Sequence, residues 1–502
     1  MSESTAPPAD RRGSADQDTA ADALGRRGFL ETTALAAAGL AVGCGGDDDV
    51  PPSPDAGGRP DAGLPVDGGL DAGGLDAGLP DAGRPAVEPP DDTPEVATFG
   101  LGVASGDVTT EQVILWTRYD GSAPLRLVVW EMMGDVYART VYDAAEAPRD
   151  GGFVHVDVAG LTAGLRYRYA FFEMDTDARV GRSTVGRFRA AIPDSSREPL
   201  TIGATSCTRN GRAFDTLSHA AGRDDLDIFL NLGDTTYNDD AVTLGEYRAK
   251  WAENLGTDGY RALRAAVSGI STWDDHEVEN DYDPERLPAA QMAAALAAFE
   301  ENTPFRPDPA APGRIWKRLR WGQTLEVFVL DCRSERLPST RTSGSPIYVS
   351  REQMDWFKAG LLASPAVFKL IMNSVPISDF PFAFDLARND RWEGYGAQRD
   401  EILQHIDDNA IGGVLWVSGD FHMASMGRVS PSGVGASQIE VLVGPGNNNP
   451  NVLAATLGGP QFDWATSSNN YAVLELDPAT AEVRIWYHDA DDLVIETRTY
   501  AL

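Results

Sequence analysis

The chain has 502 residues, with 76 acidic against 42 basic side chains and a formal net charge of −34 at pH 7. This length allows roughly two or three domains and a large hydrophobic core. The charge argues against a general affinity for nucleic acids, which depends on Lys and Arg neutralising phosphates, so we expect no nucleic-acid partner. With three cysteines the chain is not a disulfide scaffold either.

Residues 1–44 have the features of an export signal. The stretch GRRGFLETTALAAAGLAVGCGG contains Arg26 and Arg27, followed by a weakly apolar run that is too short for a stable membrane span. It resembles a twin-arginine signal, which implies the twin-arginine export machinery as a partner and a periplasmic or cell-envelope location. The ending AVGC resembles a lipoprotein cleavage box, which implies a lipid anchor on Cys44; an ordinary signal peptide with a chance cysteine is the alternative.

Residues 45–95 form a low-complexity segment in which DAG recurs five times. The segment has almost no large apolar residues, so it cannot bury enough surface to offset its chain entropy, and we expect it to be disordered. A calcium-binding repeat is the alternative. The irregular spacing of the repeat favours a flexible acidic spacer.

Residues 96–193 alternate between apolar and polar positions in short segments, among them QVILWTRY, GFVHVDVAGL and LRYRYAFFEM. Period-two alternation with frequent turn residues is typical of an antiparallel sandwich. The step AGLTAGLRYRYAF resembles an immunoglobulin or fibronectin type III module. We therefore expect a small all-β sandwich here.

Residues 194–502 alternate continuous apolar strands, such as DIFLNL and GVLWVS, with helical stretches such as REQMDWFKAGLLAS. This pattern predicts an α/β layered domain with buried strands. In such folds, ligands bind beyond the carboxyl ends of the strands.

The residues at those strand ends are mostly metal ligands or anion binders: Ser206, Cys207, Asp234, Tyr237, Asp274, Asp275, His276, Asp331, Arg333, Asn373, Asp420 and His422. A single acid at a strand end is often a helix cap. Several acids converging on one edge would repel one another unless they were protonated or bound to cations. The pattern therefore predicts a metal site.

Several motifs in one order carry a family resemblance: GVASGDVTTEQVILWTR, TSC, GDTTY, WDDHEVEN, LDCRSER, RWEGYGAQR and SGDFH. Together they resemble the PhoD type of alkaline phosphatase and phosphodiesterase, within the calcineurin-like metallophosphatases. The resemblance runs from about Phe99 to near the C-terminus. It implies a metallophosphatase domain with two β-sheets flanked by helices, and Fe³⁺ and Ca²⁺ as cofactors.

The resemblance also implies roles for single residues. Its metal ligands fall on Cys207, Asp234 and Tyr237 for the ferric ion, and on Asp275, Asp420 and His422 for the rest of the centre. A thiolate and a phenolate are both strong donors to a trivalent metal. The superfamily's substrate-facing histidine falls on His276, which can act as a general acid. Asn280 is a further ligand or a phosphate contact, and Arg333 is the candidate phosphate clamp.

The sequence departs from the family pattern at two positions. Asn373 stands where the superfamily has a histidine, and Cys332 stands where the family usually has threonine. A Cys207–Cys332 disulfide would destroy the iron site, but the strict geometry of a disulfide argues against it. No family motif includes Asp239 or Asp240, so we expect them to be ordinary loop acids.

The expected function is that of an exported metal-dependent phosphoesterase of the alkaline phosphatase type. It would hydrolyse small phosphate esters by attack of a metal-bound hydroxide or oxo group. Three alternatives remain open: a phosphodiesterase or phospholipase D-like activity, a non-catalytic phosphate-binding lipoprotein, and a purely structural surface protein.

Overall fold

The computed structural model describes residues 92–209, 211–381, 384 and 388–502, all within one compact unit, Gly83–Leu502. The predicted signal over residues 1–44, and most of the predicted linker over residues 45–95, lie outside the described residues. None of the described helices is both long enough and apolar enough to cross a membrane.

The largest sheet has nine strands in the order β21-β20-β19-β9-β10-β11-β1-β2-β5. These strands are β1 (Val103–Gly106), β2 (Gln112–Arg118), β5 (Phe153–Ala159), β9 (Leu200–Thr205), β10 (Ile228–Leu232), β11 (Gly269–Thr272), β19 (Asn470–Asp477), β20 (Glu482–Asp489) and β21 (Val494–Ala501). In its centre β9, β10 and β11 run parallel. Their carboxyl ends therefore lie at one edge of the sheet.

A second sheet has seven strands in the order β12-β13-β14-β15-β17-β16-β18. They are β12 (Lys317–Trp321), β13 (Leu325–Val329), β14 (Phe368–Asn373), β15 (Val414–Ser418), β16 (Ala424–Arg428), β17 (Ile439–Leu442) and β18 (Phe462–Thr466). Here β13, β14, β15 and β17 run parallel.

The two sheets face each other across a shared hydrophobic core. Leu230 and Ile270 of the nine-stranded sheet belong to the same buried cluster as Val327, Leu370 and Val417 of the seven-stranded sheet. Because both faces of these strands are covered, they read as continuous apolar runs in the sequence.

Six α-helices cover the outer faces of these two sheets in the described residues: α1 (Asp215–Ala221), α2 (Leu244–Leu255), α3 (Asp258–Ala266), α4 (Ala289–Asn302), α5 (Arg351–Ala363) and α6 (Gly396–Asp408). Phe229 on the outer face of β10 packs in one cluster with residues of α1 to α4. Trp416 of β15 packs with residues of α5 and α6. The predicted α/β layers, two sheets flanked by helices, are confirmed.

The N-terminal part is all β, as predicted. A five-stranded sheet is built from β3 (Leu125–Met133), β4 (Val136–Glu146), β6 (Arg166–Asp175), β7 (Ala178–Arg182) and β8 (Gly186–Arg189). It packs against β1, β2 and β5, since Leu115 and Val156 share a core cluster with Val129 and Tyr169.

The sandwich and the α/β layers are joined through the nine-stranded sheet. Strand β1 pairs in parallel with β11 at Gly106 and Gly269. A Cβ at Gly106 would lie 2.5 Å from the carbonyl oxygen of Pro304, so this close approach requires glycine. The predicted division between residues 96–193 and 194–502 stays a prediction, and one sheet runs across it.

Candidate metal centre

The predicted metal ligands lie in the turns that follow the parallel strands of both sheets. Cys207 follows β9, Asp234 follows β10, Asp275 follows β11, and Asp420 and His422 follow β15. The two sheets face each other, so these turns meet at a common edge. The structure confirms the predicted convergence of the strand ends.

Donor atoms at this edge form three overlapping groups, and within each group they lie within 4.8 Å of one another. The groups are Cys207, Asp234 and His422; Asp234, Asp275 and His276; and Asp274, Asp275 and Asp420. The Tyr237 hydroxyl donates to Asp234 Oδ2 at 3.1 Å and lies 3.0 Å from His422 Nε2. All six predicted ligands therefore lie together. Their roles as ligands stay predictions.

The backbone at four of these ligands is left-handed. The φ angles are 55° at Cys207, 52° at Asp234, 70° at Asp420 and 50° at His422. A non-glycine residue in this region costs on the order of 1 kcal/mol or more, and such residues cluster where function over-determines the conformation. This left-handed conformation turns the chain directly after each strand, at the point where these side chains come together.

The buried carboxylates and the thiol fit a cationic metal. Asp234 Oδ1 is buried and has no hydrogen-bond partner among the described residues. Burial raises the pKa of Asp234 well above its ordinary value, and the carboxylates of Asp274 and Asp275 raise it further. Burial, and then Asp234, likewise raise the pKa of the Cys207 thiol. Metal ions would relieve this repulsion: the carboxylate oxygens suit hard cations, and the thiolate is a softer donor that iron also accepts.

Arg333, the predicted phosphate clamp, is enclosed by acids. Its side chain is 1% exposed. Nε and Nη2 donate to the two oxygens of Asp274 at 2.6 and 2.9 Å, and Nη2 also donates to Asp420 at 3.0 Å. Burial opposes its charge, but these acids raise the pKa of Arg333. The guanidinium thus neutralises one acidic group, and its role as a phosphate clamp stays a prediction.

His276, the predicted general acid, is held by Asp239. Its Nδ1 lies 2.8 and 3.0 Å from the two carboxylate oxygens of Asp239. Burial alone would lower the pKa of His276, but Asp234, Asp275 and Asp239 raise it well above its ordinary value. The expectation that Asp239 is an ordinary loop acid is wrong. A histidine that acts through one ring nitrogen needs a hydrogen-bond acceptor on the other. An acid two residues after the predicted ligand Tyr237 was therefore a candidate for that acceptor.

Asn280 is exposed beside this pair. Its main-chain N–H donates to Asp239 at 2.9 Å, and its side-chain amide donates to Asp281 at 2.9 Å. The main-chain N–H of Asp281 in turn donates to Asp275 Oδ2 at 2.5 Å. Asn280 therefore belongs to the loop that fixes His276 and Asp275, and its role as a ligand or phosphate contact stays a prediction.

Glu277 is a buried residue to which the sequence reasoning gave no role. It is fully buried and accepts hydrogen bonds from the main-chain N–H groups of Asp234 at 3.0 Å, Thr235 at 2.6 Å and Asp274 at 2.8 Å. Burial raises its pKa to about 7. One carboxylate thereby ties the turn after β10 to the turn after β11. A charged residue directly after His276 was the available signal.

The two positions that depart from the family pattern contact each other instead of the metal groups. Asn373 Oδ1 accepts from Cys332 Sγ at 2.9 Å and from Trp392 Nε1 at 3.0 Å. Cys207 and Cys332 are both free thiols, so the disulfide alternative is not formed. Asn373 therefore links the Cys332 thiol to the buried Trp392 side chain.

Comparisons with known proteins agree with this geometry. The family model described as PhoD-like phosphatase matches residues 202–451, and that of the PhoD-like phosphatase N-terminal domain matches residues 85–192. The chain is similar to alkaline phosphatase D of Bacillus subtilis (strain 168), with 26% identity over 378 residues. This match covers 64% of the chain and 64% of that protein.

Two solved structures share the fold. A structure of PhoD has a TM-score of 0.69 and 20% identity, and the match covers 82% of this chain and 92% of that one. Purple acid phosphatase PPD1 from yellow lupin (Lupinus luteus) seeds has a TM-score of 0.59 and 12% identity, covering 80% and 73% respectively. With both domain models matched in order and the ligand turns converging, the chain belongs to the PhoD-like phosphatase family.

Proposed function

We propose that the chain is a metal-dependent phosphoesterase of the alkaline phosphatase type that acts on small phosphate esters. The observation that carries this proposal is the cluster of overlapping metal-ligand groups at the edge where the two sheets meet. The name of the curated relative, alkaline phosphatase D, supports the same reaction class.

The donor sets suggest how two kinds of metal ion would be held. Cys207, Asp234 and Tyr237 would hold the ferric ion, and Asp275, Asp420 and His422 would complete the centre for a calcium ion. When bound, such ions supply an activated water and positive charge for the phosphoryl oxygens. Asp420 completes the acidic side of the site, where Arg333 already contributes one fixed positive charge.

His276 is placed to protonate the leaving group. Its Nδ1 is engaged by Asp239, so Nε2 is the nitrogen that remains for substrate. The surrounding acids favour the protonated ring, and a proton held at Nε2 can pass to the oxygen that leaves phosphorus. General acid catalysis of this kind contributes roughly 10²- to 10⁴-fold.

Hydrolysis by the purified holoprotein tests the proposal. A phosphate monoester and a phosphate diester are offered to the wild type, to Asp234→Ala and to Asp258→Ala, whose side chain is 92% exposed and belongs to none of the metal groups. We expect Asp234→Ala to lose turnover of the esters and Asp258→Ala to keep the turnover of the wild type. A folded, metal-loaded wild type that hydrolyses neither ester would overturn the proposal and favour a phosphate-binding protein, and faster diester turnover would favour the phosphodiesterase or phospholipase D-like alternative.

The identity of the metals has its own measurement. Elemental analysis and a visible spectrum of the holoprotein should show iron with a tyrosinate charge-transfer band that disappears in Tyr237→Phe. Zinc alone and no band would exclude the ferric assignment.

The proposed location is the periplasm or the cell envelope, reached by the twin-arginine route and with a lipid anchor on Cys44. Support comes from the sequence of residues 1–44 alone. Cell fractionation should show retention inside the cell when Arg26 and Arg27 are both changed to Lys, and release from the membrane in Cys44→Ala. Unchanged fractions would contradict the signal and the anchor, respectively.

A further inference from the structure

A phosphate ester approaching this site meets a strongly acidic protein, with a net charge of −34. A cation at the mouth of the site would offset the repulsion, but Arg333 is almost fully buried, with Nε and Nη2 bonded to Asp274 and Asp420 and only Nη1 without a partner among the described residues. The residue that can bind an incoming anion must be both exposed and free of acidic partners.

Arg209 meets both conditions. It is exposed and lies two residues after Cys207, with its guanidinium carbon 5.8 Å from the centre of the Tyr237 ring. In the part of the chain that the structure describes, no carboxylate forms an ion pair with Arg209. Its charge is therefore available beside the metal groups.

The main chain of Arg209 is fixed by a buried asparagine. Its N–H donates to Asn447 Oδ1 at 2.5 Å, and its carbonyl oxygen accepts from Asn447 Nδ2 at 2.9 Å. The next residue, Asn448, lies with its side-chain amide 3.4 Å from His422 Nε2. The base of Arg209 is thus held at the rim of the site, while the guanidinium extends from it.

We propose that Arg209 binds a non-bridging oxygen of the substrate's phosphoryl group and gives the site a preference for dianionic monoesters over monoanionic diesters. The inference rests on the proposed phosphoesterase function. A guanidinium offers a planar pair of donors that matches two phosphate oxygens. A monoester presents more charge and one more free oxygen than a diester, so the contact stabilises the monoester more.

The test compares Arg209→Met with Arg209→Lys and with Arg212→Met as the matched control. Arg212 is exposed in the same segment and donates to Asn449 Oδ1 at 2.6 Å, so its replacement removes an equal charge from the same surface. Turnover of a monoester and a diester is measured for each metal-loaded variant, together with the dissociation constant of inorganic phosphate by calorimetry.

A hydrogen bond to a charged group contributes about 1.5 to 3 kcal/mol, so we expect Arg209→Met to lower monoester kcat/KM and weaken phosphate binding by roughly 10- to 100-fold. Diester kcat/KM should fall less than about threefold, Arg209→Lys should recover part of the loss, and Arg212→Met should match the wild type. Equal losses on both esters, or an Arg209→Met protein indistinguishable from Arg212→Met, would overturn the inference. A wild type that binds phosphate but hydrolyses no ester refutes the proposed function alone, because phosphate binding still reports on Arg209.

Discussion

Replacing Arg333 by methionine separates the two roles that this arginine could have. The methionine side chain keeps much of the aliphatic stem and removes the charge. Arg333 and Asp274 are each about 1% exposed, and the fork contacts Asp274 at 2.6 and 2.9 Å and Asp420 at 3.0 Å. The substitution therefore leaves two carboxylates without their cation inside the protein.

Breaking a buried ion pair by removing one partner costs about 3 to 5 kcal/mol. At about 1.4 kcal/mol for each factor of ten, the equilibrium constant for unfolding should rise from roughly 10²-fold to several thousandfold. Arg333→Lys keeps the charge but loses the planar fork, so its loss should be less than half as large.

Urea unfolding of the metal-loaded wild type and of both variants at pH 7.5, with the phosphate dissociation constant measured alongside, checks this reasoning. We expect a large fall in the free energy of unfolding and only a minor change in phosphate affinity per folded molecule. A free energy of unfolding within about 1 kcal/mol of the wild type, together with a tenfold weaker phosphate affinity, would refute the charge argument. Arg333 would then be the phosphate clamp that its motif suggests.

Three further predictions concern Asp239, Glu277 and His155. Asp239→Asn should lower kcat roughly 10- to 100-fold with KM nearly unchanged, because the His276 ring loses its charged acceptor; equal kcat in steady-state kinetics would contradict the pairing. Glu277→Gln should destabilise the fold by about 2 to 4 kcal/mol, since an amide presents a donor to one of three main-chain donors, and it should reduce bound metal in elemental analysis; wild-type stability would be the contrary result. Burial lowers the pKa of His155 from 6.5 to about 4, so below pH 6.5 the unfolded chain takes up a proton that the folded chain does not. The His155 contribution to stability should therefore fall by about 3 kcal/mol between pH 6.5 and pH 4, measured as the difference between the chemical-unfolding pH profiles of the wild type and His155→Gln, and parallel profiles would show the reasoning to be wrong.

The buried strands and the converging strand ends could be predicted because they follow from local patterns. A buried parallel strand has to be apolar, and the polar residue directly after it has to lie at the carboxyl edge. The side-chain partners that come from different loops could not be predicted from these local patterns. The use of Asp239 by His276, and of Arg333 by Asp274, depends on how turns from different strands approach one another, and the charge and type of a residue do not determine that approach.

Strand β9, which leads to Cys207, acquires its second neighbouring strand late during synthesis. Its neighbour on one side is β10, and on the other side β19, which begins at Asn470. Ribosomes make the chain from the N-terminus, so the sheet that positions the thiol lacks one neighbour until almost the whole polypeptide has been made. A chain released before Asn470 would leave β9 with an unpaired edge, open to pairing with other molecules. The predicted ligands can therefore come together only near the end of translation. C-terminally truncated chains should aggregate instead of folding into a smaller active protein.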